Sequence, residues 1–81
     1  MSGELHMHDV VALLEETRAN HFETGKPLLL QRGQIGTVVM TYKDGACEVE
    51  FADRSGETYA LLSIAPEKLM ILIDSAEQAA A

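Results

Sequence analysis

No tryptophan occurs among the 81 residues, and two Phe and two Tyr make up the whole aromatic complement. The interior must therefore be built from Val, Leu, Ile and Met. A row of aromatics able to read proline-rich ligands is also unavailable. A single cysteine, Cys47, cannot form an internal disulfide and places no demand on an oxidising compartment. Basic residues are scarce: six Lys and Arg stand against thirteen Asp and Glu, a formal net charge of −7. Nucleic-acid binders draw their affinity from Lys and Arg that neutralise phosphates, so the balance argues against that class. No apolar run exceeds five residues, far below the ~18 that would mark a membrane span. The segment Met1-Ser2-Gly3-Glu4-Leu5-His6-Met7-His8-Asp9 has neither the basic start nor the apolar stretch of a signal peptide. A cytoplasmic protein that engages neither membrane nor nucleic acid is expected.

What remains is 47 % apolar and 23 % charged, the composition of one folded domain. A domain of this size buries only roughly 60 % of the surface of its unfolded chain, which leaves one thin core and little room for a deep, dry cleft. The apolar pattern reads as short strands between turn signals. Val10-Val11-Ala12-Leu13-Leu14 is a β-branched and aliphatic run suited to a strand buried on both faces. From Glu15 to Pro27 neither period is present, so a long first loop is expected before Leu28-Leu29-Leu30 returns to the core. Gly33-Gln34-Ile35-Gly36 reads as a tight turn into Thr37-Val38-Val39-Met40-Thr41-Tyr42, the segment with the strongest β-propensity. Lys43-Asp44-Gly45 is a hairpin signal. On the return strand Cys47, Val49 and Phe51 alternate with Glu48 and Glu50, which sets one face in the core and an acidic face in water. Ala52-Asp53-Arg54-Ser55-Gly56 marks a second turn before a strand over 58–64. Pro66 opens a single helical turn ahead of Met70-Ile71-Leu72-Ile73.

The elements describe an all-β domain, a small SH3-like five-stranded barrel over 8–73. It has a long first loop, a one-turn helix before the last strand, and flexible ends at 1–7 and 74–81. The competing arrangement is an open antiparallel sheet completed by a second copy of the chain.

Three segments carry a family resemblance: Asp9-Val10-Val11-Ala12-Leu13-Leu14-Glu15-Glu16, Arg32-Gly33-Gln34-Ile35-Gly36-Thr37-Val38-Val39 and Asp44-Gly45-Ala46-Cys47-Glu48-Val49-Glu50-Phe51. They resemble a bacterial family catalogued as domain of unknown function 4926, and Thr58-Tyr59-Ala60-Leu61-Leu62 extends the likeness over most of 8–72. The resemblance implies a stand-alone bacterial protein with an SH3-like core and implies no activity. The stretch from Asn20 to Pro27 makes the first loop longer than in short members of that family. Similar Gly-x-x-Gly-Thr-Val turns in SH3-like domains of nitrogenase-accessory and nitrile hydratase proteins are a likeness of fold only.

Residues with chemistry in them are few. His6 and His8 would share a face of an extended segment, but two imidazoles do not make a metal site, and His21 would have to join them from the loop. Cys47 falls on the core face, beside Glu48 rather than a cation, and is expected to be an inert buried thiol. Glu48, Glu50, Asp53 and Glu57 lack the desolvated cleft that acid–base catalysis needs and are expected to form a solvated acidic face. Arg32-Gly33-Gln34-Ile35-Gly36 precedes a strand rather than a helix and lacks a Gly-Lys-Ser/Thr ending, so it is a structural turn and not a phosphate loop. None of Ser2, Ser55, Ser63 and Ser75 has a His and Asp at motif spacing. No catalytic residue, metal or cofactor is expected.

The long loop is the remaining candidate, with Arg18, His21, Phe22 and Lys26 on an otherwise acidic chain. Phe22 either lines a binding surface or folds back to plug one end of the barrel. A non-enzymatic module is expected, binding a protein partner through the 15–30 loop (Arg18, His21, Phe22, Lys26) and the acidic face (Glu48, Glu50). The alternative is an antitoxin-like or regulatory factor that neutralises a basic partner. The apolar strip from Met70 to Ile73 leaves room for a homodimer.

Overall fold

The computed structural model describes residues 4–76, 78 and 79. Parts of both expected flexible ends, residues 1–3, 77, 80 and 81, lie outside the described residues. Seven strands are present among those described: β1 (Val10–Leu13), β2 (Thr17–Asn20), β3 (Pro27–Leu30), β4 (Ile35–Thr41), β5 (Cys47–Ala52), β6 (Thr58–Ile64) and β7 (Leu69–Ile71). A 3-10 turn, Pro66–Lys68, stands before β7, with Pro66 where its missing N–H costs least.

The class is all-β, as the alternating pattern indicates, but the barrel is not closed. Five strands form one antiparallel sheet in the order β6-β5-β4-β1-β7, and β2 and β3 form a second sheet of two strands. Closure would require β6 to pair with β7. The edge of β6 is instead met by the β2–β3 hairpin, where the Phe22 N–H donates to the Tyr59 carbonyl at 2.8 Å. The long first loop is thus a paired arm rather than an irregular excursion, with Thr17 opposite Leu30 and Asn20 opposite Pro27. Its inner side contributes Leu30 to the core and packs Ala19 and Leu28 against it.

The core lies beneath the central strands. Val49 and Phe51 of β5, Val38 of β4, Ala60 of β6 and Val11 of β1 are completely buried, and Leu13, Leu30, Ile64 and Leu69 close the sides. Gly33, Gly45 and Gly56 hold φ of +92°, +92° and +88° in the turns read from the sequence, a conformation that costs residues with a Cβ about 1 kcal/mol or more. Gly36 corrects the expectation for the first of these turns. It lies inside β4, opposite Val11, and its role is space: a Cβ there would come within 2.7 Å of Val49 Cγ1 and 2.9 Å of the Glu50 carbonyl oxygen.

At the second hairpin, the Asp53 carboxylate accepts from the N–H groups of Ser55 and Glu57 and from the Ser55 hydroxyl. The Ser55 hydroxyl first, and then the Glu57 N–H, hold its pKa below the ordinary value of 3.8. A carboxyl depressed in the folded state stabilises the fold at pH above that ordinary value, and the contribution is lost as pH falls through the lower folded value. Asp53→Ala should therefore melt below the parent at neutral pH, and the gap should narrow as the pH is taken below about 3.8. Melting curves recorded across that range check it, and a gap independent of pH contradicts it.

Candidate functional site

The expected site residues fall into two groups. In the hairpin arm, Arg18 of β2 opposes Leu29 of β3, and both face out, because Thr17, Ala19, Leu28 and Leu30 occupy the inward positions. The tip, residues 21–26, is a built turn. The His21 N–H donates to the Lys26 carbonyl at 2.7 Å, and the Gly25 N–H donates to the His21 carbonyl at 2.9 Å. His21 Nδ1 accepts the N–H groups of Glu23 (3.1 Å) and Thr24 (3.3 Å), so this imidazole serves the turn and its Nδ1 lone pair is occupied. Phe22 does not plug the molecule. Its backbone is fixed to β6 while its side chain is 56 % exposed.

The second group is the outer face of the main sheet. Glu48 and Glu50 stand there, half-buried, opposite Met40 and Thr37 of β4 and opposite Ser63 and Leu61 of β6. Neither is the freely solvated carboxylate expected from the sequence. The Tyr42 hydroxyl donates to Glu48 Oε1 at 3.0 Å, and the Thr58 hydroxyl donates to Glu50 Oε2. The bond to Glu48 holds the Tyr42 phenol above its ordinary pKa of 10.0. Thr58 and Tyr59 join the two groups, since Thr58 holds Glu50 and the next carbonyl, that of Tyr59, receives the hairpin tip. Arg18 and Lys26 belong to the arm, and Glu48 and Glu50 to the sheet beside it.

Cys47 is fully buried on the core face, and burial, reinforced by the Asp9 carboxylate, pushes its thiol up. That setting is the reverse of one that makes a reactive thiolate. His6 lies against Glu4 and Asp9, at 4.0 and 3.9 Å, while His21 is committed to the hairpin tip. No group of three or more His, Cys, Asp or Glu able to hold a metal ion is assembled among the described residues. Among the same residues no helix is long and apolar enough to cross a membrane.

Several contributors were not visible in the sequence. Leu29 gains its exposed place only because β2 and β3 pair. Gln34 ties the first turn to the sheet: its Oε1 accepts the Gln31 N–H and its Nε2 donates to the Tyr59 hydroxyl, both at 2.7 Å. Tyr59 meets the Phe51 ring, with centroids 6.4 Å apart, because the register shifts at Phe51 and Ala52. A bulge of this kind re-aims a side chain that strict alternation would send outward.

An open five-stranded antiparallel sheet with a hairpin arm defines a small all-β domain. A family model described as Domain of unknown function (DUF4926) matches residues 7–71, a span that includes all seven strands, and the chain belongs to that family. No curated protein and no solved structure matches it.

Proposed function

We propose that this chain is a small SH3-like, non-enzymatic interaction module that binds a protein partner through the exposed side of its hairpin arm and the acidic face beside it. One observation carries this: Phe22, one of only two phenylalanines, stands 56 % exposed on a tip that hydrogen bonds fix on both sides. An aromatic held outward on a rigid support costs little ordering when it is buried by a partner, and such residues dominate the energetics of interfaces. Arg18 and Leu29 face outward from the same arm, and Lys26 lies at its tip with Phe22. The SH3-like assignment is supported by the meander β4-β5-β6, the hairpin-bearing loop after β1 and the one-turn helix ahead of the last strand. Cys47 is the one titratable side chain in the described core, and burial holds it as a thiol, which supports a role that needs no acid–base group.

The net charge of −7 favours a second role, that of a factor neutralising a basic partner. Long-range attraction of that kind is screened by salt, whereas burial of Phe22 is not.

Affinity capture from cell extract, with Phe22→Ala as the comparison, tests the proposal. A stoichiometric partner whose recovery falls about tenfold with the variant, while the melting temperature is unchanged, is the expected outcome. Equal recovery by parent and variant refutes the hairpin surface. Recovery that collapses only at raised salt, and that Glu48→Lys abolishes, assigns the role to charge instead.

A further inference from the structure

The fold treats the two edges of its main sheet differently. The edge of β6 is met by the hairpin arm, whereas no strand lies beyond β7 among the described residues. The Leu72 N–H donates to the Val10 carbonyl and the Leu14 N–H to the Lys68 carbonyl, each at 2.9 Å. Residues 68, 70 and 72 therefore turn their backbone groups toward β1. Leu69, Ile71 and Ile73 turn theirs away from the sheet. The Leu69 N–H is taken by the Pro66 carbonyl, and the other outward groups face no strand. Along this edge the side chains are apolar without interruption from Leu69 to Ile73, with Met70 49 % and Ile73 77 % exposed. Open edges in natural sheets are usually blunted by a charge, a proline or a bulge, and none of these falls between Leu69 and Ile73.

The charges sit at its two ends, and they are opposite. We propose that this edge is an interaction surface for a second copy of the same chain, the two β7 edges pairing antiparallel about a two-fold axis at Ile71. In that register Ile71 faces Ile71 of the second copy as a hydrogen-bonded pair, and Leu69, whose N–H stays with the Pro66 carbonyl, faces Ile73 and offers its carbonyl to the Ile73 N–H. On the other face Met70 meets Leu72, and Lys68 meets Asp74 at both ends. The charges select this register. Centring on Met70 or Leu72 would set Lys68 against Leu72 or Ala76 and lose both ion pairs. Lys68 is available, since its present contact, 3.4 Å to Glu15, lies between two half-exposed side chains. The pairing is isologous, so it closes at two copies instead of propagating. It joins two five-stranded sheets into one and covers the apolar strip of both. It depends on the β7 edge alone and stands apart from the role assigned to the hairpin arm.

The test is the solution mass of the untagged chain over a concentration series reaching the sub-millimolar range, by analytical ultracentrifugation. The mass is expected to rise from 8.8 kDa toward twice that value. Lys68→Glu, which sets like charges opposite one another, should weaken the dimer about tenfold or more. Asp74→Lys, which leaves the Lys68–Glu15 contact intact, should do the same. The double exchange Lys68→Glu/Asp74→Lys should restore it, a rescue that a merely structural role for either residue would not produce. Three results overturn the proposal: a parent chain that stays at 8.8 kDa throughout, a dimer indifferent to both single variants, or a double exchange that fails to recover it while remaining folded.

Discussion

Phe51→Ala is expected to remove from about a quarter to all of the chain's folding stability. Phe51 is the largest fully buried side chain, and it packs against Val49, Gly36 and the Tyr59 ring beneath the centre of the sheet. Truncating a buried phenylalanine costs about 3–5 kcal/mol, made up of lost transfer free energy and a residual cavity. The whole stability of an 81-residue domain is about 4–12 kcal/mol. Cys47 is a free thiol, so no disulfide makes up the loss. Far-ultraviolet circular dichroism during a urea titration should show the midpoint of the alanine variant lowered by about 1 M or more. Phe51→Leu, which keeps most of the volume, should retain a cooperative transition at a cost below about 1.5 kcal/mol. An alanine variant with the parent's midpoint would mean that the core is not organised around this ring.

Gly36→Ala should rank second, although it adds a single methyl group. The backbone at Gly36 is not left-handed, so alanine meets no torsional penalty, and the obstacle is packing. The new carbon would lie 2.7 Å from Val49 Cγ1, 2.9 Å from Phe51 Cε1 and 2.9 Å from the Glu50 carbonyl oxygen. Side chains can yield a few tenths of an ångström, but the Glu50 carbonyl is held by the pairing of β4 with β5, where Glu50 lies opposite Thr37. Overpacking of this kind costs about 1–3 kcal/mol. In a domain this small that is a fall in Tm of about 10 °C. Gly33→Ala, at φ +92° with nothing within 4 Å, separates torsional strain from crowding. Its Tm should fall less than that of Gly36→Ala, and the reverse order would place the requirement in the turn instead of the strand.

The central meander was legible because its two faces differ so sharply in polarity. Cys47, Val49 and Phe51 against Glu48 and Glu50 leave one way to place β5, and the Asp44-Gly45 and Ser55-Gly56 turns fix the partners on either side. Pro66 likewise marked the 3-10 turn. The hairpin arm was not legible, because Thr17-Arg18-Ala19-Asn20 has little intrinsic preference for a strand and pairs only once Leu28 and Leu30 are anchored in the core. That pairing also sends Arg18 and Leu29 outward and leaves Phe22 clear of the interior. The sequence favours the closed barrel over the open sheet it leaves as the competing arrangement for a related reason. Which edges meet depends on where the arm lies, and its contact with β6 is one backbone hydrogen bond that no side-chain pattern records. Alternation along β5 sets Glu48 and Glu50 on one face, yet their hydroxyl partners, Tyr42 after β4 and Thr58 of β6, come from other segments, beyond any local period.

The adjacency of β1 and β7 has a consequence for how the chain folds as it is made. The meander β4-β5-β6 needs only short loop closures and can form as soon as it leaves the ribosome. Val11 and Ile71, by contrast, sit side by side although nearly the whole described chain separates them. Until residues 69–71 emerge, β1 presents a bare second edge to every other nascent chain nearby. Docking of β7 does not abolish that edge; it moves it one strand outward in the described sheet.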